Sequence, residues 1–569
     1  MEKEITYDSK PWVKFYQPGV KSKLEYKDLF LTDYLDKTVA QFPGNFALNF
    51  MGYRLTYKQL NEMIGKMVAA YKSFGIKKGD SIAILLPNMI PTVVAHYAAL
   101  KLGAVVVMNN PLYSDREIKH QVNDSKAKIL ITLDLLGNRM VDLMPQTTLN
   151  QIIYTSIGDY LPFPKNILFP LVAKKKKLAA DVKPAKNVYK WKDILNKFEP
   201  DYEKVALSAD DPCYYQYTGG TTGVSKGAIL THGNMGKQMQ QATEWFTTFV
   251  PGKERLLGAL PFFHIFGLTT CLNYAIVCGW ENILVPKPQP DQLLEAISKY
   301  KPTFAPLVPT MYIGILKHPK IGKTDISSIK GCFSGSAPLP VEVIKEFEAK
   351  TGATIVEGFG LTESSPVTHI NPFAGSERKI GSVGLPISDT DCRIVDIVDG
   401  ETLLPVGESG ELIMKGPQIM KGYLNQPEMT EKALRNGWLY TGDIAKMDEQ
   451  GYFYIVDRKK DMIISGGFNV YPREIDEVYY DHPKVQEACT IGIPHEHRGE
   501  SAKVYIVLNE GETATEKEMI EFVHDKLAKF KWPVEIEFAK ELPKSAVGKI
   551  LRKDLRAMEM EKRQNKVWK

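Results

Sequence analysis

The densest run of chemistry-bearing residues is Tyr217–Gly227, YTGGTTGVSKG. Gly219, Gly220, Gly223 and Gly227 lack the Cβ atoms that hold a ligand away from the main chain, so their N–H groups can wrap phosphate oxygens. Thr218, Thr221, Thr222 and Ser225 add hydroxyl donors, and Lys226 adds positive charge. A Walker A loop sets Lys directly after its second Gly and Ser or Thr directly after Lys. Here Gly227 follows Lys226, which makes this a different phosphate loop.

The elements around this loop are legible from apolar patterning. CYYQY precedes it and AILTH follows it, which predicts a loop between two strands. From Asp80 the pattern alternates: strand SIAILLP, helix Pro91 to Leu102, strand AVVVMNN, helix Asp115 to Ser125, strand AKILITL. Parallel strands need crossover connections, so this rhythm predicts a largely parallel sheet covered by helices. No GxGxxG follows the first strand, which disfavours a dinucleotide site.

A chain of 569 residues exceeds what one core supports, so at least two domains are expected. The character changes after Asp457, where DRKKD leads into SGGFNVYP, and a boundary is expected there, giving domains 1–458 and 459–569. Glu474 to Tyr480, Val485 to Ile491, Ser501 to Leu508, Thr515 to Phe530, Val534 to Phe538 and Ile550 to Met560 read as helix, strand, strand, helix, strand, helix. Met519, Phe522, Val523, Leu527 and Phe530 keep helical spacing, which gives the segment one apolar face.

The net charge of +5 is too small to imply a nucleic-acid partner. The 6 cysteines form no CxxC pair or cluster, and Cys271 and Cys278 are read as small core residues. The N-terminal segment lacks the apolar core of a secretory signal, and no stretch has the length and apolarity of a membrane span. A cytoplasmic location is expected. Between 156 and 190 an apolar, Pro-punctuated stretch abuts four consecutive lysines, 174–177. This pairing allows peripheral contact with the inner face of a membrane, or a solvated surface helix.

The glycine-rich loop resembles the signature of the adenylate-forming superfamily, which includes acyl-CoA synthetases, luciferases and peptide-synthetase adenylation domains. LPFFHIFG (260–267), SGSAPL (334–339), EGFGLTES (357–364), NGWLYTGD (436–443), DRKKDMIISGGFNVYP (457–472) and PKSAVGKILRKDLR (543–556) follow in that family's order. Within it, HIFGLT and the NGWLYTGD to DRKK block are most similar to bacterial long-chain fatty acid CoA ligases. The resemblance implies an α/β fold: a large multi-layer N-terminal domain with mixed, largely parallel sheets, and a small mobile C-terminal lid. It also implies ATP, Mg²⁺ and coenzyme A acting on a fatty acid.

Residue by residue, the resemblance makes Lys549, Glu363 and Thr362 catalytic, with Glu363 on Mg²⁺ and Thr362 donating to the α-phosphate. Thr218, Gly219, Gly220, Thr221, Thr222, Gly223 and Lys226 would hold the nucleotide together with Gly335, Ser336, Ala337, Glu357, Gly358, Phe359, Asp443 and Arg458. Adenine would stack on Phe359, with Gly335 to Ala337 across from it, and the ribose hydroxyls would meet Asp443 and Arg458. Phe263, His264 and Leu268 would line the acyl site; Leu268 stands where some long-chain members carry an aromatic gate. Lys460 would be the hinge, and Gly466 and Gly467 the walls of the coenzyme A tunnel. Read without these blocks, a lysine in a basic C-terminal helix is merely solvated, and His264 in an apolar string is a core histidine.

Alternatives remain at this level: a ligase for medium-chain or aryl acids, an adenylation enzyme loading a carrier protein, or a membrane-associated protein that only binds fatty acids. Oligomeric state, a homodimer included, is open.

Overall fold

The computed structural model describes residues 5–173, 176–218, 225–466, 468–545 and 548–567. The expected rhythm is present as strand Ser81–Leu85, helix Ile90–Lys101, strand Val105–Met108, helix Asp115–Asp124 and strand Ala127–Leu133, the strands pairing in parallel. Every residue from Ile90 to Leu100 is buried, because the strands cover one side of the helix and helix Tyr57–Ser73 packs on it as well. The apolar run that begins there is thus core. Helix Asp115–Asp124 starts at a reciprocal cap: Ser114 Oγ accepts from Glu117 N–H, and the Glu117 carboxylate accepts from Ser114 N–H at 2.8 Å.

These strands belong to an eight-stranded sheet that runs Gly422–Tyr423, Gly227–Thr231, Pro212–Tyr217, Val105–Met108, Ser81–Leu85, Ala127–Leu133, Gln151–Thr155, Val188–Lys190. One face joins the main apolar cluster; Ala83, Leu85, Val107, Leu130 and Ile152 on the other pack with Ile118, Val122 and Met140. Burial on both faces is what a parallel sheet flanked by helices requires. A second, nine-stranded sheet carries Gly331–Ser334, Thr354–Gly360 and Val367–Ile370 toward one edge. A third, antiparallel sheet contains Trp438–Met447 and Phe453–Arg458. The architecture is the expected one: mixed α/β, with largely parallel sheets in a large N-terminal part and a smaller C-terminal part.

The C-terminal part has its own five-stranded sheet, ordered Phe468–Val470, Ile463–Ser465, Gly499–Leu508, Val485–His495, with Glu535–Phe538 also on Gly499–Leu508. Strand alternation sends Ala488, Val504 and Ile506 into one cluster, and Cys489, Ile491, Tyr505 and Val507 into another with Leu555 of helix Arg552–Val567. The sequence reading erred at one helix: it ends at Phe522, not Phe530. Trp532 stacks on His524 at 3.7 Å and donates its indole N–H to Leu527 O at 2.8 Å, which rewinds the segment while Val523 and Leu527 stay buried. Strands Ile463–Ser465 and Phe468–Val470 were not foreseen, three residues each being too short to show alternation.

Cys271 and Cys278 are buried among apolar neighbours, as are the other four cysteines. Among the described residues no helix is long and apolar enough to cross a membrane.

Candidate active site

The glycine-rich loop leaves the sheet at Tyr217 and returns at Gly227, between antiparallel strands as expected. Gly219, Gly220, Thr221, Thr222 and Gly223 lie outside the described residues. At its base Thr218 N–H donates to Lys226 O at 2.9 Å. Helix Asp115–Asp124 holds the returning arm, His120 Nε2 meeting Ser225 O at 2.9 Å. Gly227 packs closely under Tyr217: a Cβ there would stand 3.2 Å from the Tyr217 ring.

A residue that sequence reasoning missed ties this loop to Glu363. The short strand Gly422–Tyr423 pairs with Gly227–Thr231, and Leu424 N–H donates to Gly227 O at 2.8 Å. The Tyr423 hydroxyl donates to Glu363 Oε1 at 2.7 Å, and Lys226 Nζ lies 5.1 Å from the Tyr423 ring centroid. Met420 N–H donates to Glu363 O at 2.8 Å, so the Glu363 main chain and carboxylate are both fixed. Thr362 is half-buried in the same tight turn, Thr362–Ser364.

The SGSAPL block and the strand Thr354–Gly360 face each other at the sheet edge. A Cβ on Gly358 would meet Phe333 at 2.3 Å and His369 O at 2.8 Å, so packing requires glycine there, while one on Gly335 would meet the Phe266 ring at a tight 3.2 Å. Ser336 has φ +71° and is exposed beside Ala337. Both Glu357 carboxylate oxygens accept backbone N–H groups, from Leu339 and from Gly381, so this residue clamps the block from beneath. Burial raises the Glu357 pKa, and those two N–H donors oppose the rise. Phe359 is half-buried, its ring 5.8 Å from His369.

The remaining residues form a second centre. Asp443 and Arg458 are cross-strand partners, Arg458 Nε standing 3.1 Å from Asp443 Oδ1. Asp443 is 3% exposed, and its Oδ2 is buried with no hydrogen-bond partner among the described residues. A buried, orphaned carboxylate oxygen is costly unless a ligand supplies the donor. Lys549 reaches this place from the C-terminal part. Its pKa is pushed down to about 7 by burial first, then by Arg458, with Asp443 opposing and Arg552 and Lys460 adding. The turn before it is seated on the N-terminal part: Gly548 has φ +73°, and a Cβ there would fall 2.2 Å from Thr310 Oγ1.

His264 is brought to Lys549, and burial followed by that lysine lowers its pKa to about 4, which keeps the ring neutral. Its Nδ1 accepts Phe266 N–H at 3.3 Å. Gln216, on the strand entering the glycine-rich loop, donates to Phe263 O at 2.7 Å, so that strand and the Lys549 neighbourhood share one support. Leu268 is fully buried at the head of a widened helical turn.

Asp457 joins the two parts, and ion pairs inside the C-terminal part hold its arginines in place. Asp457 accepts Arg458 N–H and Arg473 N–H, each at 2.7 Å, and lies 3.6 Å from Arg552. Arg552 also pairs with Asp476, and Arg556 pairs with Asp461 at 2.9 Å. Lys460 is exposed as a residue, yet burial of its ammonium and the nearby Arg458 bring its pKa to about 8. Gly466 stands apart: at φ +59° it turns an exposed hairpin and donates N–H to Arg498 O at 2.8 Å. Gly467 lies outside the described residues. Cations gathered around one orphaned carboxylate can bind a sugar phosphate and stabilise charge growing on it.

Residues 35–424 match the family described as AMP-binding enzyme, and 474–549 match the AMP-binding enzyme C-terminal domain. A long-chain-fatty-acid–CoA ligase of Bacillus subtilis (strain 168) is 44% identical over 97% of this chain and 98% of its own. The fold is similar to that of an anthranilate CoA ligase crystallised with anthranoyl-AMP, at TM-score 0.82 and 26% identity, over 93% of this chain and 97% of that one. It is also similar to ATP-bound MatB from Rhodopseudomonas palustris, at TM-score 0.79 and 28% identity, over 93% of this chain and 99% of that one.

Proposed function

This chain belongs to the AMP-binding enzyme family, and from that premise we propose that it is an ATP-dependent ligase joining a long-chain fatty acid to coenzyme A. The carboxylate attacks the α-phosphorus of ATP, giving acyl-AMP and pyrophosphate; the coenzyme A thiol then attacks the acyl carbon, giving acyl-CoA, AMP and a proton. The observation that carries this reading is the meeting of Lys549 with Asp443, Arg458 and His264.

In the first step the Asp443 Oδ2 atom takes a ribose hydroxyl, and Arg458 supports the same sugar. Thr218 to Lys226 cradles the phosphates, Thr362 donates to the α-phosphate, and adenine lies between Phe359 and the Gly335–Ala337 backbone. Lys549 enters as a cation between the fatty carboxylate and the α-phosphate, where negative charge grows; one preorganised group of this kind contributes roughly 3 to 4 kcal/mol. Neutral His264 with Phe263 borders the carboxylate, and buried Leu268 lines the acyl channel. Glu363, with Oε1 held by Tyr423, would carry the magnesium ion that accompanies ATP. When bound, that ion neutralises triphosphate charge.

For the second step we divide the chain at 458/459 and let the smaller part turn about Lys460. That rotation removes Lys549 and brings Gly466 and Gly467 to the pantetheine arm. Tests of this reading begin with pyrophosphate release across C2 to C20 and aryl acids. Release with C14 to C18 acids at kcat/KM at least tenfold above aryl acids supports it. Preference for aryl or short acids overturns the substrate, and no acid-dependent release at all overturns the activity.

A further inference from the structure

The segment 163–197 is unlike the rest of the chain in two independent respects. It contains ten lysines against two aspartates, a net +8; the whole chain carries +5, so the remaining residues sum to −3. It also leaves large apolar side chains in water: Phe163 is 79% exposed, Ile167 61%, Leu168 52% and Leu171 77%. All four belong to or immediately precede the single helix Lys165–Ala173.

That helix is held from below. Phe169 fills the space over Gly158, where a Cβ would fall 2.4 Å from its ring, and Ala173 is buried. The chain beyond is pinned again, with Val182 over Gly137, Lys183 N–H donating to Asn138 Oδ1 at 2.8 Å and Asn138 Nδ2 donating to Asp181 O at 2.9 Å. Docking of Phe169 and Ala173 therefore coexists with an outer face on which Ile167, Leu168 and Leu171 are more than half exposed to solvent. Lys165, Lys176 and Lys177 border it, and Lys176 and Lys177 are exposed.

Exposed apolar side chains on a helix that begins at Lys165 and is followed by exposed Lys176 and Lys177 match one partner in particular, a bilayer surface with anionic headgroups: the aliphatic groups enter the acyl boundary and the lysines stay at phosphate level. A protein partner would answer the apolar face equally well, but an excess of eight positive charges selects a surface of dense negative charge. We propose that helix Lys165–Ala173 with its lysine flank is a monotopic docking site for anionic phospholipid bilayers. This inference does not depend on the ligase reading, since docking needs no turnover.

The test is co-sedimentation of the full chain with vesicles of phosphatidylglycerol and phosphatidylethanolamine, against phosphatidylcholine alone, at 50 and 500 mM NaCl. Expected are binding to the anionic vesicles, at least tenfold weaker binding to phosphatidylcholine, and loss at high salt. Ile167→Ser/Leu171→Ser and Lys176→Glu/Lys177→Glu should each weaken binding at least tenfold. All four side chains are exposed, so both variants should keep the wild-type melting temperature and octanoate turnover. Failure of the wild type to bind anionic vesicles, or unchanged binding by both variants, overturns the proposal. So does a dimer in sedimentation velocity that Ile167→Ser/Leu171→Ser dissolves, which would make the face a contact between copies of this chain.

Discussion

The two halves of the candidate site are built by different means. Around Glu363 the return of the glycine-rich loop and Tyr423 are joined by backbone hydrogen bonds in one sheet, and the Tyr423 hydroxyl holds the Glu363 carboxylate from there. Around Lys549 the groups come from both parts of the chain and meet through charge, at a crossing where Asp457 faces Arg552 and accepts Arg473 N–H. Sheet hydrogen bonds fix a geometry along the main chain, whereas the ion pair across the crossing joins side chains of two separate parts. In the proposed two-step cycle the first half would serve as a standing phosphate and metal platform, and the second as a contact made and released once per turnover.

This contrast is most exposed to Lys549→Ala. Adenylation, read as fatty acid-dependent pyrophosphate release, should fall by about 10² to 10³, as for loss of one preorganised group. Thioester formation from supplied acyl-adenylate should stay within about twofold. Equal loss of both steps would erase the distinction between platform and switch.

Gly548→Ala probes the seating of the switch without removing the lysine. A Cβ at positive φ, 2.2 Å from Thr310 Oγ1, should cut adenylation by roughly tenfold or more, with the second step spared. Thr310→Ala in the same chain should restore part of the rate, since the steric component is relieved while the backbone strain remains.

Tyr423→Phe probes the platform. It keeps the ring near Lys226 and removes one hydrogen bond to a carboxylate, an effect of about 1.5 to 3 kcal/mol when the acceptor is charged. Adenylation should fall about tenfold, with a higher Mg²⁺ concentration needed for half-maximal binding of a fluorescent ATP analogue. A change in thermal stability with no change in Mg²⁺ dependence would reduce Tyr423 to a packing residue.

The smallest effect concerns pH. Lys549 acts as a cation, and its pKa is lowered to about 7, so adenylation kcat/KM for ATP should decline as pH rises through about 7. Bound phosphates favour the charged form, so the same limb in kcat should lie at higher pH. The limb should vanish in Lys549→Ala and persist in Tyr423→Phe.

The sequence made the βαβ rhythm of 80–133 readable because buried strands and helices repeat there at regular lengths, and the family's blocks marked Glu363, Asp443, Arg458 and Lys549 for inspection. Tyr423 escaped because its contact with Glu363 spans 60 positions and its strand is two residues long, leaving no periodicity to detect. The packing needs of Gly335 and Gly358 were equally invisible: whether a glycine clears a path for a ligand or for a phenylalanine depends on Phe266 and Phe333, which other segments supply. In the C-terminal part, the apolar spacing through Phe530 was real, yet it survives in a turn that Trp532 and His524 impose.

The central claim is that the 217–227 turn and a lysine from the far end of the chain grip one nucleotide. A crystal structure with AMP and a fatty acid tests it directly. Expected are a ribose hydroxyl on Asp443 Oδ2, the phosphate inside the glycine-rich turn and Lys549 Nζ within hydrogen-bond reach of the fatty carboxylate or phosphate. A nucleotide bound elsewhere, or one held with that turn pointing away, would contradict it.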